Sequence, residues 1–149
     1  MHILVLDDER YVADTLVMVL EQSGLEATAA YDADSALKKA ESFRPTVVIS
    51  DVIMPGTNGI EVCQQIHTRF PACHIFLFSG QAATNELVRE LYAKGVTWEL
   101  LAKPIEPEDL LAKLAALPEA SQAWHFPEKT GSIGFPGFAA GKTLHLCGQ

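Results

Sequence analysis

The sequence predicts an α/β fold: a doubly wound parallel sheet of five strands with helices on both faces. Two observations carry that prediction. Short apolar runs alternate five times with stretches of helical spacing, and the positions just past four of the runs hold polar residues able to bind or react. Parallel neighbours need a crossover, and crossovers are right-handed, so strand–helix alternation builds such a sheet. At 149 residues the chain has room for one domain with a full core and is short for two.

The first strand is "ILVL", residues 3–6. Val12, Leu16, Val19 and Leu20 then recur at helical spacing, and Gly24 stands where a helix end favours a left-handed residue. The second strand is "LEATAA", residues 25–30. Its helix, "ADSALKKAESF", stops ahead of Pro45 because the residue before proline avoids helical geometry. "VVIS" (47–50), "IFLF" (75–78) and "ELLA" (99–102) are the remaining strands. The third helix is "GIEVCQQIHTRF", ended by Pro71, and the fourth is "ATNELVRELYAKG", ended by Gly95. The fifth, "PEDLLAKLAAL", opens on Pro107 with two acids in its positive first turn. The fold closes near Leu117.

Composition excludes several functions. With 48% hydrophobic and 20% charged residues the chain reads as a soluble globular protein. A net charge of -8 and a pI near 5.0 argue against binding nucleic acid or anionic membranes through general electrostatics. No apolar stretch reaches the roughly 18 residues of a membrane span, and "MHILVLDDER" meets charge too early for a signal peptide. A cytoplasmic address is the expectation. Cys63, Cys73 and Cys147 are odd in number and scattered, so they read as reduced thiols. His145 and Cys147 offer at most two metal ligands, too few for zinc.

The polar residues gather at one edge. Asp7 and Asp8 follow the first strand, Asp51 the third, Ser79 the fourth and Lys103 the fifth. Alone, each acid reads most simply as a cap or turn residue, Ser79 as a turn hydroxyl and Lys103 as a surface charge. In a parallel sheet all of them lie at the carboxyl edge, where open α/β folds bind ligands. Carboxylates brought together there repel by a few kcal/mol per pair at about 4 Å and an effective dielectric of about 20. A hard divalent cation relieves that repulsion, and few carboxylates with room for water suit Mg²⁺ better than Ca²⁺. Lys103 adds a flexible cation for a phosphate oxygen. Carboxylate, Mg²⁺, lysine and hydroxyl together form a site for phosphoryl transfer with an aspartate as nucleophile.

"DDE" after strand one, "DVIMPGTNG" after strand three, "FSG" after strand four and "KP" after strand five closely resemble the receiver domain of two-component response regulators. The resemblance covers residues 1–117 and implies a flavodoxin-like, three-layer α/β/α fold. It makes Asp51 the phosphoacceptor. It makes Asp8, Asp51 and the backbone carbonyl of Ile53 the ligands of Mg²⁺, or of Mn²⁺ in its place, with Asp7 acting through a water. Ser79 becomes the switch hydroxyl, Lys103 the contact to the phosphoryl group, and Pro104 the proline after a cis bond. Ile53 and Gln81 border the path of the hydrolytic water. The family's aromatic switch position holds Leu100; Trp98 lies two residues earlier, on the same side of the strand. The implied donor is a sensor histidine kinase or a histidine phosphotransfer protein. An output partner would dock on the face of the fourth helix, fifth strand and fifth helix. No catalysis beyond the chain's own phosphorylation and slow dephosphorylation is implied. The rivals are a docking module that works without phosphorylation and a small Mg²⁺-dependent aspartyl phosphatase. Phosphatases of the haloacid dehalogenase type want a second acid where this chain has Ile53.

Residues 118–149 change in character, with dense glycine and proline and no persistent period. They hold no helix-turn-helix pattern, so no DNA-binding output domain is expected in them. "GFPGFAAGKT" imitates a phosphate-binding loop, yet the motif's first glycine falls on Pro136 and only six residues follow Thr143. Trp124, Phe126, Phe135 and Phe138 are unusual for a solvated tail. They fit packing on the domain, docking on a partner, or a loose extension.

Overall fold

The computed structural model describes residues 1–80 and 84–118. The helices are α1 (Arg10–Gln22), α2 (Ala33–Phe43), α3 (Gly59–Arg69), α4 (Thr84–Ala93) and α5 (Pro107–Ala115). The main sheet is built from β1 (His2–Leu6), β2 (Glu26–Ala30), β3 (Val47–Asp51), β6 (His74–Ser79) and β7 (Glu99–Ala102). A small antiparallel hairpin, β4 (Ile53–Met54) with β5 (Thr57–Asn58), follows β3. The five-stranded sheet is parallel throughout, in the order β2-β1-β3-β6-β7.

Two core clusters fill the space above and below this sheet. One joins Leu4, Leu6, Val48 and Leu77 to buried residues of α2 and α3; the other joins Ile3, Val5, Ile49 and Phe76 to α1 and α5. Alternate residues of each strand thus serve opposite faces, and both faces are covered. Among the described residues no helix is long and apolar enough to cross a membrane.

Local signals explain most element ends. Gly24 and Gly95 adopt positive φ after α1 and α4, as left-handed helix ends require. Asp32 caps α2 by accepting from the amide of Ser35 at 2.7 Å, and Asn58 caps α3 through Ile60 at 2.9 Å. Arg44, directly before Pro45, is left-handed at φ 50°. The apolar face of α1 differs from the expected one: Val12 is 38% exposed, and Ala13 takes the buried place beside Leu20. A residue without a long side chain lets the first turn lie close to the sheet.

The hairpin was not expected. Two-residue strands are too short to leave a period, but Pro55 followed by Gly56 at φ 69° supplies the tight turn. Gly59, where α3 begins, has a stricter role. A Cβ there would lie 1.9 Å from the carbonyl oxygen of Asp51 and 2.8 Å from Oγ of Ser50. Only glycine lets α3 start against the end of β3, and that approach positions the Asp51 backbone.

Candidate functional site

β3 and β6 each run one residue further than their apolar runs, so Asp51 and Ser79 are the last residues of their strands. Asp7 continues β1, its amide donating to Ala30 at 3.1 Å. Lys103 follows β7 and donates its amide to the carbonyl of Ser79 at 3.0 Å. Parallel register therefore converts four separate strand ends into one site. Ligating oxygens of Asp7, Asp8 and Asp51 all lie within 4.8 Å of one another. This is the donor set a hard, oxygen-seeking divalent cation prefers, and the residues fit Mg²⁺.

Lys103 is the electrostatic centre of the cluster. Its Nζ donates to Oδ2 of Asp51 at 2.9 Å and to Oδ2 of Asp7 at 3.3 Å. The Asp7 side chain is 4% exposed and that of Asp51 13%, so one ammonium is shared between two carboxylates that water scarcely reaches and offsets only part of their charge. Partial burial pulls the Lys103 ammonium toward losing its proton. The hydrogen bond it donates to Asp51 and the charges of Asp7 and Asp51 outweigh that, so its pKa rises above the ordinary lysine value.

The remaining Asp51 oxygen, Oδ1, accepts from the amide of Ile53 at 3.3 Å. Asp7 Oδ1 accepts from the amide of Glu9 at 2.9 Å, which fixes the β1–α1 turn. Ser79 is fully buried, its hydroxyl donating to the carbonyl of Gly80 at 3.0 Å. The Lys103–Pro104 bond is cis. Ile53 is 63% exposed beside Asp51; Gln81 lies outside the described residues, as do Cys147, the "GKT" segment and residues 119–149.

The two switch candidates are placed differently. Leu100 and Trp98 both pack on the core face shared with α2 and α3, as alternation predicts. Leu100 pairs with Leu77, two residues from Ser79. Trp98 is level with Ile75, roughly 13 Å along β6 from Ser79, and its ring meets His67 of α3 edge-on at 5.9 Å. Trp98 is therefore not brought to the site. Nor are the cysteines: Cys63 and Cys73 are buried, and burial pushes the Cys63 thiol up to about 12.

Sequence reasoning missed two functional features. Gly59 supports the Asp51 backbone, and its one signal was a glycine directly after a capping asparagine. The Lys103–Asp7 contact had no signal beyond co-location at the edge.

Three carboxylates, one lysine and a buried hydroxyl gather at the carboxyl edge of a β2-β1-β3-β6-β7 sheet, an α/β domain whose aspartyl cluster has the donors to hold a divalent cation. A family model described as the response regulator receiver domain matches residues 3–115, and the chain belongs to that family. Receivers of this kind are the phosphorylation-dependent signalling modules of two-component systems. The chain is 32% identical over 120 residues to the alkaline phosphatase synthesis transcriptional regulatory protein PhoP of Bacillus subtilis, covering 80% of this chain and 49% of that one. It is 35% identical over 117 residues to the response regulator MprA of Mycobacterium avium, covering 78% and 50%. The chain thus spans about half the length of these curated relatives. Among solved structures, the chemotaxis protein CheY4 of Vibrio cholerae superposes with a TM-score of 0.67 at 30% identity, over 76% of this chain and 94% of that one. A CheY-like receiver domain protein from Methanospirillum hungatei gives 0.68 at 27%, over 76% and 89%.

Proposed function

We propose that this chain is a response regulator receiver that takes a phosphoryl group on Asp51 from a phosphohistidine of a sensor histidine kinase or a histidine phosphotransfer protein. The observation that carries the reading is the Lys103 bridge between Asp51 and Asp7. It puts a mobile cation on the nucleophile itself. A carboxylate oxygen of Asp51 attacks phosphorus, the phosphorus–nitrogen bond breaks, and the imidazole leaves with the electron pair and takes up a proton. Lys103 then exchanges its Asp51 contact for one to a phosphoryl oxygen, and Ser79 rotates its hydroxyl from Gly80 toward the new group. Asp8, Asp51 and the carbonyl of Ile53, with Asp7 through a water, would hold Mg²⁺ or Mn²⁺, which supplies charge neutralisation at the transferring oxygens. Catalysis is otherwise positioning. No reaction on another substrate is assigned to it.

The output in this reading is a protein partner docking on the face of α4, β7 and α5, with a cytoplasmic setting and no direct contact with nucleic acid. Leu100 cannot swing as an aromatic ring, so the shift of that face on phosphorylation is partial. Moving a two-state population from about 1:99 to 99:1 takes about 5.5 kcal/mol of differential interaction, and half of the switch is missing.

The test is incubation with acetyl phosphate and Mg²⁺ followed by intact mass measurement. One added phosphoryl group is expected, and none in Asp51→Asn. An unlabelled wild type, under conditions that label other receivers, would favour a docking module that works without phosphorylation. Lifetime is a second readout. Ile53 is exposed beside Asp51 and offers no hydrogen bond to orient a water, so dephosphorylation is slow. Ile53→Asn combined with Gln81→Glu is expected to accelerate it; an unchanged rate would show that water access at this edge does not set the lifetime.

A further inference from the structure

Among the described residues three polar side chains are buried: Asp7, Ser50 and Ser79. Asp7 and Ser79 belong to the phosphoryl site. Ser50 takes no part in that chemistry, yet it is completely sealed from solvent, on the face of β3 where Val48 packs with α2 and α3. A hydroxyl is unfavourable to bury unless it is hydrogen-bonded. The bond it makes is to the phosphoacceptor's own backbone: Oγ of Ser50 donates to the carbonyl of Asp51 at 2.9 Å.

The peptide unit between Asp51 and Val52 is thereby held at both ends. Its oxygen accepts from Ser50, and its N–H donates to the carbonyl of Phe78 at 3.0 Å. Because a peptide is planar, gripping both atoms fixes the whole plane. One residue on, the carbonyl of Val52 accepts from the amide of Gly59 at 3.1 Å. Two groups of the site leave this plane in different directions. One is the Asp51 side chain; the other is the chain running to Ile53, whose amide returns to Oδ1 of Asp51 at 3.3 Å and whose carbonyl would be a ligand of the cation. A turn of the plane moves the carboxylate and that carbonyl relative to each other.

Gly59 shows how tightly the plane is enclosed. A Cβ there would meet the Asp51 carbonyl oxygen at 1.9 Å and Oγ of Ser50 at 2.8 Å, so the hydroxyl and the missing methyl share one small, dry space. Removing the hydroxyl vacates the volume of one oxygen atom, too little for a water to take its place, and the carbonyl loses that donor. We infer that Ser50 is a positioning residue: through the Asp51 carbonyl its hydroxyl sets the Asp51 carboxylate and the Ile53 carbonyl at the separation a divalent cation requires. It governs cation affinity and, through that, the rate of phosphorylation. The inference rests on the reading of Asp51 as a phosphoacceptor beside a divalent-cation site.

The test compares Ser50→Ala with the wild type and with Val48→Ala, which removes buried volume from the same strand face without touching the Asp51 carbonyl. Amide hydrogen exchange at Val52 and Gly59 is followed without any cation, Mg²⁺ affinity is measured by calorimetric titration, and labelling is timed against acetyl phosphate concentration. Ser50→Ala is expected to exchange faster at both amides and to bind Mg²⁺ about tenfold more weakly, the usual loss when a group that orients a metal ligand is removed. With Mg²⁺ held at a fixed, subsaturating level, its maximal labelling rate falls while the acetyl phosphate concentration for half-maximal rate stays the same. Ser50→Cys, which keeps a weaker donor at the same place, falls between the two. Val48→Ala unfolds at lower urea but keeps the wild-type Mg²⁺ affinity. An unchanged Mg²⁺ affinity in Ser50→Ala, or a loss that Val48→Ala shares, overturns the inference. A wild type that binds Mg²⁺ and never labels overturns the phosphoacceptor reading instead, and the Mg²⁺ titrations still decide the role of Ser50.

Discussion

The two edges of the sheet are made from the same strands and carry opposite chemistry. At the carboxyl edge Asp7, Asp51 and Ser79 are held almost out of water, and their charges are met by Lys103. At the amino edge the corresponding residues are His2, His74 and Trp98, and the pair of His2 with Glu26 at 2.9 Å leaves both side chains open to solvent, 42% and 72% exposed. The difference follows from direction. In a parallel sheet the helices that return to the amino edge start at the carboxyl edge, so the positive ends of α1, α3 and α5 converge near the carboxylates. Acidic residues can be sequestered at one edge, whereas the other edge favours apolar cover and surface pairs.

The comparison breaks most completely at Asp51. Asp51→Asn removes the nucleophile with little change of shape, and intact mass should show total loss of labelling. Asp8→Asn is expected only to slow labelling, through weaker Mg²⁺ binding; equal loss in both would mean the two carboxylates share one role.

Gly59→Ala is next. The added methyl meets the Asp51 carbonyl at 1.9 Å, and backbone must move. Overpacking of this kind costs about 1–3 kcal/mol. Urea unfolding measures it, and amide shifts should be concentrated at residues 50–53.

Lys103→Met tests the burial asymmetry. It leaves two carboxylates facing each other without a cation. A fully buried pair broken in this way loses roughly 3–5 kcal/mol, and the one-third exposure of Lys103 reduces that to about 1–2 kcal/mol. The sign with pH is set by the raised lysine pKa. The contribution is complete below the unfolded value of about 10.4 and is lost as pH rises through the folded value. Wild type and Lys103→Met should therefore converge in stability in strong base and differ at neutrality.

The smallest effect belongs to the amino edge. His2→Ala removes an exposed pair worth about 0–1 kcal/mol, and a larger loss in the same urea experiment would show the two edges to be less different than their burial indicates.

Much of this was legible in the sequence because burial on both faces leaves largely apolar runs, and four of the five runs were followed by a residue with chemistry. "VVIS" followed by Asp51 and "IFLF" followed by Ser79 marked the edge. What was not legible has one physical character: it depends on distances between segments. The rotation of α1 that buries Ala13 in place of Val12, the clearance at Gly59 and the reach of Lys103 to Asp7 are each set by packing across the sheet. Trp98 shows the limit from the other side. Alternation put it on the correct face, but its position along the strand keeps it at the wrong end for the site.

Strand order also bears on how the chain can assemble as it is synthesised. β2, β1 and β3 are neighbours and lie within the first 51 residues, whereas β6 and β7 add in turn beyond β3. The sheet can grow in one direction from a nucleus of early residues, with no strand inserted between two already paired. Until residues 74–79 emerge from the ribosome, however, β3 is an open edge of Val47, Val48 and Ile49. Such an edge is a template for pairing with another chain, so the interval between those two segments is when a nascent molecule is most exposed to association with its neighbours.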